Sequence, residues 1–212
     1  MTSATFCPDC TLCPRLASFL ARTLHENPDY HCKPVAPFGD ASPQLLIVGL
    51  APGMHGANRT GRPFTGDHAG ILLYDSLHAL GLSSAPTSVD RGDGLQLRGA
   101  RITNAVKCLP PENKPLPAEI KTCNRYLAAE LQELRSVKAV LVLGLVAHEA
   151  VLLASGLKRN AAKFAHGAEH ALPGGLSLVD SYHCSRYNTQ TRRLTAEMFQ
   201  KVLKRAATLA GL

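Results

Sequence analysis

The residues best equipped for chemistry sit in a few polar loops and in a scattered set of cysteines. The longest loop runs Gly49-Leu50-Ala51-Pro52-Gly53-Met54-His55-Gly56-Ala57-Asn58-Arg59-Thr60-Gly61-Arg62-Pro63-Phe64-Thr65-Gly66-Asp67. Its glycines let a backbone approach a ligand closely. Arg59 and Arg62 suit an anion, Phe64 offers a face for stacking, and Asp67 offers a general base for water if its surroundings leave it ionised. Together they read as a pocket for a nucleotide base with a phosphate nearby. Two positions also admit a plainer reading: Asp67 fits the N-cap of a following helix, and Phe64 fits a core. A second loop, Ser181-Tyr182-His183-Cys184-Ser185-Arg186, carries a histidine placed to donate to a developing anion or simply to bond the backbone. Arg186 could contact a phosphate or wedge into a duplex, or lie solvated. Asn104 offers one donor and one acceptor to the edge of a base, and Asn113 could hold a water or a substrate carbonyl. Either could instead be a turn former.

Seven cysteines, an odd number, argue against a disulfide framework in a chain of this kind and for metal or cluster ligation. Cys7, Cys10 and Cys13 form two overlapping CxxC spacings, which let two thiolates converge on one centre. With Cys108 and Cys123 they supply a four-thiolate set. Cys10 and Cys13 are the preferred first pair, with Cys7 a rival, and spacing alone does not separate zinc from iron–sulfur. Cys32 and Cys184 read as buried apolar residues. His25, His31 and Cys32 lie in an irregular stretch over 25–43 that reads as a covering loop.

These loops need a frame. The apolar runs at 44–50, 100–106, 138–143 and 176–180 read as buried parallel strands. Helical patterns follow at 69–80, 118–135, 146–153 and 191–209, and an extra one at 14–24 opens with Pro14, which suits a helix start. Residues 82–99 read as a surface excursion, and 157–171 as a basic segment. The alternation predicts a single α/β domain over 1–212, a three-layer α/β/α sandwich around a four-stranded parallel sheet. The loops after Leu50, Val106 and Asp180 then meet at one edge of the sheet, where such folds bind ligands. A net charge of +7 favours a polyanionic partner such as nucleic acid. No apolar run approaches the roughly 18–20 residues of a membrane span. The first residues lack the charged and apolar regions of a signal peptide, so a cytoplasmic location is expected.

Together these motifs resemble the uracil-DNA glycosylase superfamily, and within it the iron–sulfur-containing family 5. The resemblance rests on Gly49–Gly53 with His55–Asp67, on Lys107-Cys-Leu-Pro-Pro-Glu-Asn-Lys-Pro115, on Ser181–Arg186 with Asn188-Thr-Gln-Thr191, and on Cys10-Thr-Leu-Cys13-Pro-Arg-Leu16. Family 4 enzymes look similar but usually carry an acidic residue where this chain has Ala51-Pro52-Gly53. The resemblance implies a 4Fe-4S cluster on Cys10, Cys13, Cys108 and Cys123, which would present Lys107 and Lys114 to phosphate. It implies a monofunctional, monomeric enzyme that flips uracil, and also hypoxanthine and other deaminated bases, out of DNA and hydrolyses the N-glycosidic bond. Asp67 matches the family's water-activating carboxylate, Asn113 its assisting amide, His183 its motif histidine and Phe64 the stacking residue. Asn104 matches a uracil-reading Asn of family 4. Gly49, Leu50, Ala51, Pro52, Gly53, His55, Asn58, Ser185 and Arg186 are the further expected base and DNA contacts. A strictly uracil-specific enzyme and an inactive, cluster-stabilised DNA-binding protein are the alternatives.

Overall fold

The computed structural model describes residues 6–212. Four strands, β2 (Leu45–Gly49), β3 (Ala100–Asn104), β4 (Ala139–Leu143) and β6 (Ser177–Ser181), form the parallel centre predicted from the apolar runs. The sheet nevertheless has six strands, not four, in the order β1-β3-β2-β4-β6-β5. The additions are antiparallel edges, β1 (Phe38–Gly39) and β5 (Glu169–Ala171). At two and three residues they are too short to show alternation, and they lie in stretches that read as a covering loop and a basic segment. A side chain at Gly39 would run into the backbone of Ala100 and Arg101, so this edge closes only on a glycine.

Helices cover both faces, because successive β2 residues point to opposite sides. Leu45 and Ile47 pack with Leu73 and Leu77 of α3 (His68–Ala79) and with Phe199 and Leu203 of α7 (Ala196–Ala210). Leu46 and Val48 pack with Leu127 of α4 (Pro117–Glu133) and Val151 of α5 (Leu145–Ala154). A third cluster joins Leu16 and Leu20 of α1 (Pro14–Glu26) to Val106, Leu109 and Tyr126. The final helix expected over 191–209 is two pieces. Ser185 caps a short α6 (Arg186–Gln190), Arg192 turns into the left-handed region at φ 56°, and Thr195 caps α7 by accepting from the Met198 N–H. A four-residue α2 (Ala57–Thr60) lies inside the long loop. Among the described residues no helix is long and apolar enough to cross a membrane.

The chain leaves β2 towards β3 and leaves β4 towards β6, on opposite sides, which opens a crevice at the carboxyl ends of β2 and β4. Two buried polar networks hold the segments around that crevice. Asp180, fully buried in β6, accepts from His148 Nδ1 (2.7 Å), His170 Nε2 (3.1 Å) and the Ala165 N–H (3.2 Å), fastening the 157–171 segment to the sheet. The excursion over 82–99 is pinned by Arg62, whose buried guanidinium donates to Asp93 (2.7 and 2.9 Å), Ser88 (2.9 Å) and the Arg91 carbonyl (3.1 Å), and lies 4.4 Å from the Phe38 ring centroid. Arg62 is therefore unavailable to an external anion.

Burial pushes the Asp93 carboxyl up, but the Leu95 N–H, the Arg62 guanidinium and the N–H groups of Val89 and Asp90 outweigh it and hold it at about 2. A carboxyl depressed in the folded state stabilises the fold above its unfolded value, and that stability is lost as the pH falls towards 2. The expected contribution is about 2 kcal/mol at neutral pH. Urea denaturation of Asp93→Asn should show that loss at pH 7 and converge with the native chain near pH 2.

Candidate active site

The crevice holds a cavity of about 360 Å³ lined by Leu50, Ala51, Gly53, Phe64, Asp67, Asn104, Asn113, His183, Ser185 and Arg186, together with Ala57, His68 and Ala69. It lies where the sequence placed it, at the ends of β2, β3 and β6. Its floor depends on Gly49. A Cβ there would sit 2.5 Å from Asn104 Oδ1 and 2.6 Å from Phe64 Cζ, so the missing side chain lets both residues reach the cavity. Asn104 pairs with Gly49 across β2 and β3, and its Oδ1 is buried with no hydrogen-bond partner among the described residues. An orphaned buried acceptor costs about 1–3 kcal/mol, which a ligand N–H would recover.

Phe64 is buried, adopts φ 53° and lies 5.9 Å from the His183 ring, tilted by 31°. A left-handed conformation at a residue with a side chain costs about 1 kcal/mol or more, and such strain gathers at functional positions. Three residues on, Asp67 takes the N-cap position that the sequence offered and keeps its second oxygen unengaged. Its Oδ1 accepts from the Gly70 N–H at 2.9 Å and caps α3, while no hydrogen bond reaches its Oδ2 among the described residues. A Cβ on Gly56 would collide with that carboxylate, and one on Gly70 with the Phe64 carbonyl.

His183 follows β6, with its carbonyl accepting from Asn188 Nδ2 at 2.8 Å. Burial pushes its imidazole below the ordinary value, and the Asp67 carboxylate works in the opposite sense. The ring is therefore neutral at physiological pH and keeps one N–H to donate. Asn113 reaches the rim from a turn in which Glu112 (φ 54°) and Asn113 (φ 57°) are both left-handed.

A wider groove of about 680 Å³ continues from Asp67, His68 and Arg186 past His55, Arg59 and Ser88. His55 belongs to this groove and not to the cavity, with Nδ1 2.9 Å from the Tyr30 hydroxyl. Pro52 is buried and lines neither space. Asn58 is a correction: it is fully buried in α2 and donates to Cys32 Sγ at 3.4 Å, away from both spaces. Lys107 is another, because its buried ammonium donates to Glu130 (2.7 Å) and Thr103 and cannot reach a phosphate. Two residues beside the motifs were missed. His68, bonded to Thr189 Oγ1 at 2.9 Å, lines both spaces. Tyr187, next to Arg186, is 70% exposed, and an aromatic directly after that arginine was the available signal.

Behind the Pro110–Asn113 turn, Cys7, Cys10, Cys13, Cys108 and Cys123 line a second, apolar cavity with Leu16, Val106 and Tyr126. Burial, with Cys123, Cys10 and Cys13 adding to it, pushes the Cys108 thiol up to about 12, and burial pushes Cys123 up to about 11. Such crowded thiolates need a cation, and an all-sulfur donor set suits iron–sulfur or zinc. The residues thus fit a cluster, and Cys7 remains a fifth thiol beside the four. Cys32 and Cys184 are buried elsewhere.

The sequence profile of the Uracil DNA glycosylase superfamily matches residues 36–207. The chain is 50% identical over 208 residues to the Type-5 uracil-DNA glycosylase of Thermus thermophilus, covering 96% of this chain and 94% of that protein. It is 44% identical over 207 residues to the Type-5 uracil-DNA glycosylase of Pyrobaculum aerophilum (96% and 90%). Against the Type-4 uracil-DNA glycosylase of Thermotoga maritima, identity falls to 28% over 197 residues (91% and 86%). With a matching profile along most of its length and half its residues shared with a Type-5 relative, this chain belongs to the Uracil DNA glycosylase superfamily, in its Type-5 family.

Proposed function

We propose that this protein removes uracil, and also hypoxanthine, from DNA by hydrolysing the N-glycosidic bond and leaving an abasic site. The observation that carries the reading is the free Oδ2 of Asp67 in a cavity it shares with a neutral His183 and an unpartnered Asn104 oxygen.

The target nucleotide leaves the stack, at a cost of a few kcal/mol that is smallest for a mispaired or single-stranded base. Arg59 and Arg186 line the groove and meet backbone phosphates, and exposed Tyr187, next in the chain to Arg186, supplies an aromatic wedge for the duplex. Phe64 stacks on the flipped base. Asn104 reads its edge: the amide oxygen accepts the ring N–H and the amide N–H donates to the adjacent carbonyl. Uracil and hypoxanthine both present that donor–acceptor pair, whereas cytosine presents the reverse. This supports a deaminated-base preference broader than uracil.

As the bond lengthens, positive charge grows on the sugar and negative charge on the base. Neutral His183 donates to the base oxygen where that charge collects, a contribution of about 3–4 kcal/mol for one well-placed donor. Asp67 Oδ2 orients and deprotonates the attacking water and offsets the sugar charge, with Asn113 holding the same water. No lysine lines the cavity among the described residues, which supports hydrolysis without a Schiff base. Cys10, Cys13, Cys108 and Cys123 are the residues to hold a 4Fe-4S cluster, which when bound supplies a rigid cross-link between the N-terminal segment and the loop that leads to Asn113.

Base release from oligonucleotides carrying uracil or hypoxanthine tests the reading. The native chain should release both, and release of uracil alone would restrict the activity to that base. Asp67→Asn should lower the rate about 10²–10⁴-fold, the usual worth of a general base. It should leave the denaturation midpoint nearly unchanged, because Asn caps a helix about as well as Asp. Asn104→Ala should weaken release of both bases together, by about 10-fold for each 1.4 kcal/mol of lost pairing. His183→Ala should cost about 10²–10³-fold. Because the folded chain holds His183 below its ordinary value, release should stay flat from pH 8 to about 6.5 and fall only below that. The stability it contributes is likewise present above about 6.5 and lost as the pH drops through the lower folded value.

A further inference from the structure

The cysteine cavity has a feature that ligand spacing does not account for. Glu119, Cys123 and Tyr126 are spaced four and three residues apart on α4, so they form one stripe facing the N-terminal segment. Each end of the stripe grips that segment through a side chain. Glu119 accepts from Arg15 Nε (2.8 Å) and from its terminal nitrogen (2.7 Å) at the start of α1. Buried Tyr126 donates its hydroxyl to Cys10 Sγ at 3.3 Å, and its ring meets Phe6 edge-on at 6.4 Å. A backbone donor treats the opposite ligand in the same way, the Lys107 N–H reaching Cys123 Sγ at 3.3 Å. Among the described residues Cys10 is the one thiol of the five in this cavity that receives a side-chain hydroxyl.

We infer that Tyr126 is a positioning residue for the cluster: its hydroxyl fixes Cys10 as a ligand and raises the reduction potential of the group that Cys10, Cys13, Cys108 and Cys123 hold. The inference rests on the cluster reading above. Four thiolates around a core of charge 2+ give a net charge of −2, and one added electron makes it −3. A donor aimed at a ligand sulfur stabilises the more negative state more, and so favours reduction. Burial of Tyr126, Cys108 and Cys123 lowers the local dielectric and strengthens that preference. The hydroxyl keeps its proton throughout, so the electron is the sole transferred particle. Selection of Cys10 follows from the same bond. Cys10 belongs to both CxxC spacings, and the hydroxyl holds it against α4 whichever neighbour completes the pair.

Tyr126→Phe removes the hydroxyl and keeps the ring, its volume and the Phe6 contact. Native and variant proteins, purified without air, are titrated from dithionite to ferricyanide through redox mediators. The titration is followed by visible absorbance and by the electron paramagnetic resonance of the reduced form. The expected result is unchanged iron content, a midpoint shifted to more negative potential in the variant, and faster bleaching by ferricyanide. An unmoved midpoint with unmoved bleaching overturns the inference while leaving the cluster reading intact. A colourless native protein without iron would instead remove the cluster reading, and the inference with it.

Discussion

One carboxylate is asked to do two things at once, and much of the site follows from that demand. Asp67 Oδ1 must stay on the Gly70 N–H to start α3, while Oδ2 must stay free towards the cavity. A helix cap holds the side chain still while leaving one oxygen free, which is what the proposed water-orienting role requires. The cost falls on the neighbours. Gly56 and Gly70 can carry no Cβ, and the chain arrives through a left-handed Phe64 and Gly66. The glycines of this loop therefore answer to close neighbours, Gly56 to the Asp67 carboxylate and Gly49 to Asn104 and Phe64.

The positive charge of the chain is divided in a way composition could not show. Arg62 and Lys107 looked suited to phosphate and are instead buried counter-ions for Asp93 and Glu130. A buried pair of this kind adds little net stability over an apolar substitute, but removing one partner is expensive. Both pairs tie an irregular segment to the frame, the 82–99 excursion in one case and the Lys107–Cys108 turn in the other. The cations that line the groove are Arg59 and Arg186, beside His55 and His68.

The central sheet was legible because β2 and β4 are apolar on both faces and β3 and β6 carry apolar residues just ahead of polar loops, and the helices because their apolar residues recur at helical spacing. The edge strands were not, since two or three residues carry no period. The cavity residues Asp67, Asn104, Asn113, Phe64 and His183 were legible from type and from their place after strand ends. Asn58, Arg62 and Lys107 were misread for one shared reason: a polar residue in a functional loop looks the same whether it faces a ligand or a buried partner. Asp67 was legible as either a base or a cap, but a sequence cannot show that capping engages one carboxylate oxygen and leaves the other free. Tyr187 was not legible, because an aromatic in a polar loop reads as core or as surface equally well until its exposure is known.

Cys108 and Asn113 are five residues apart, and the turn between them is stiffened by Pro110, Pro111 and two left-handed residues. Such a linkage behaves as a short rod with little slack. Oxidation of a thiol at one end would be felt at the other as a misplaced amide, well before the sheet or its helices gave way. A repair protein built this way would then fail silent: it would stop cutting glycosidic bonds while still folded, and would not cut them indiscriminately.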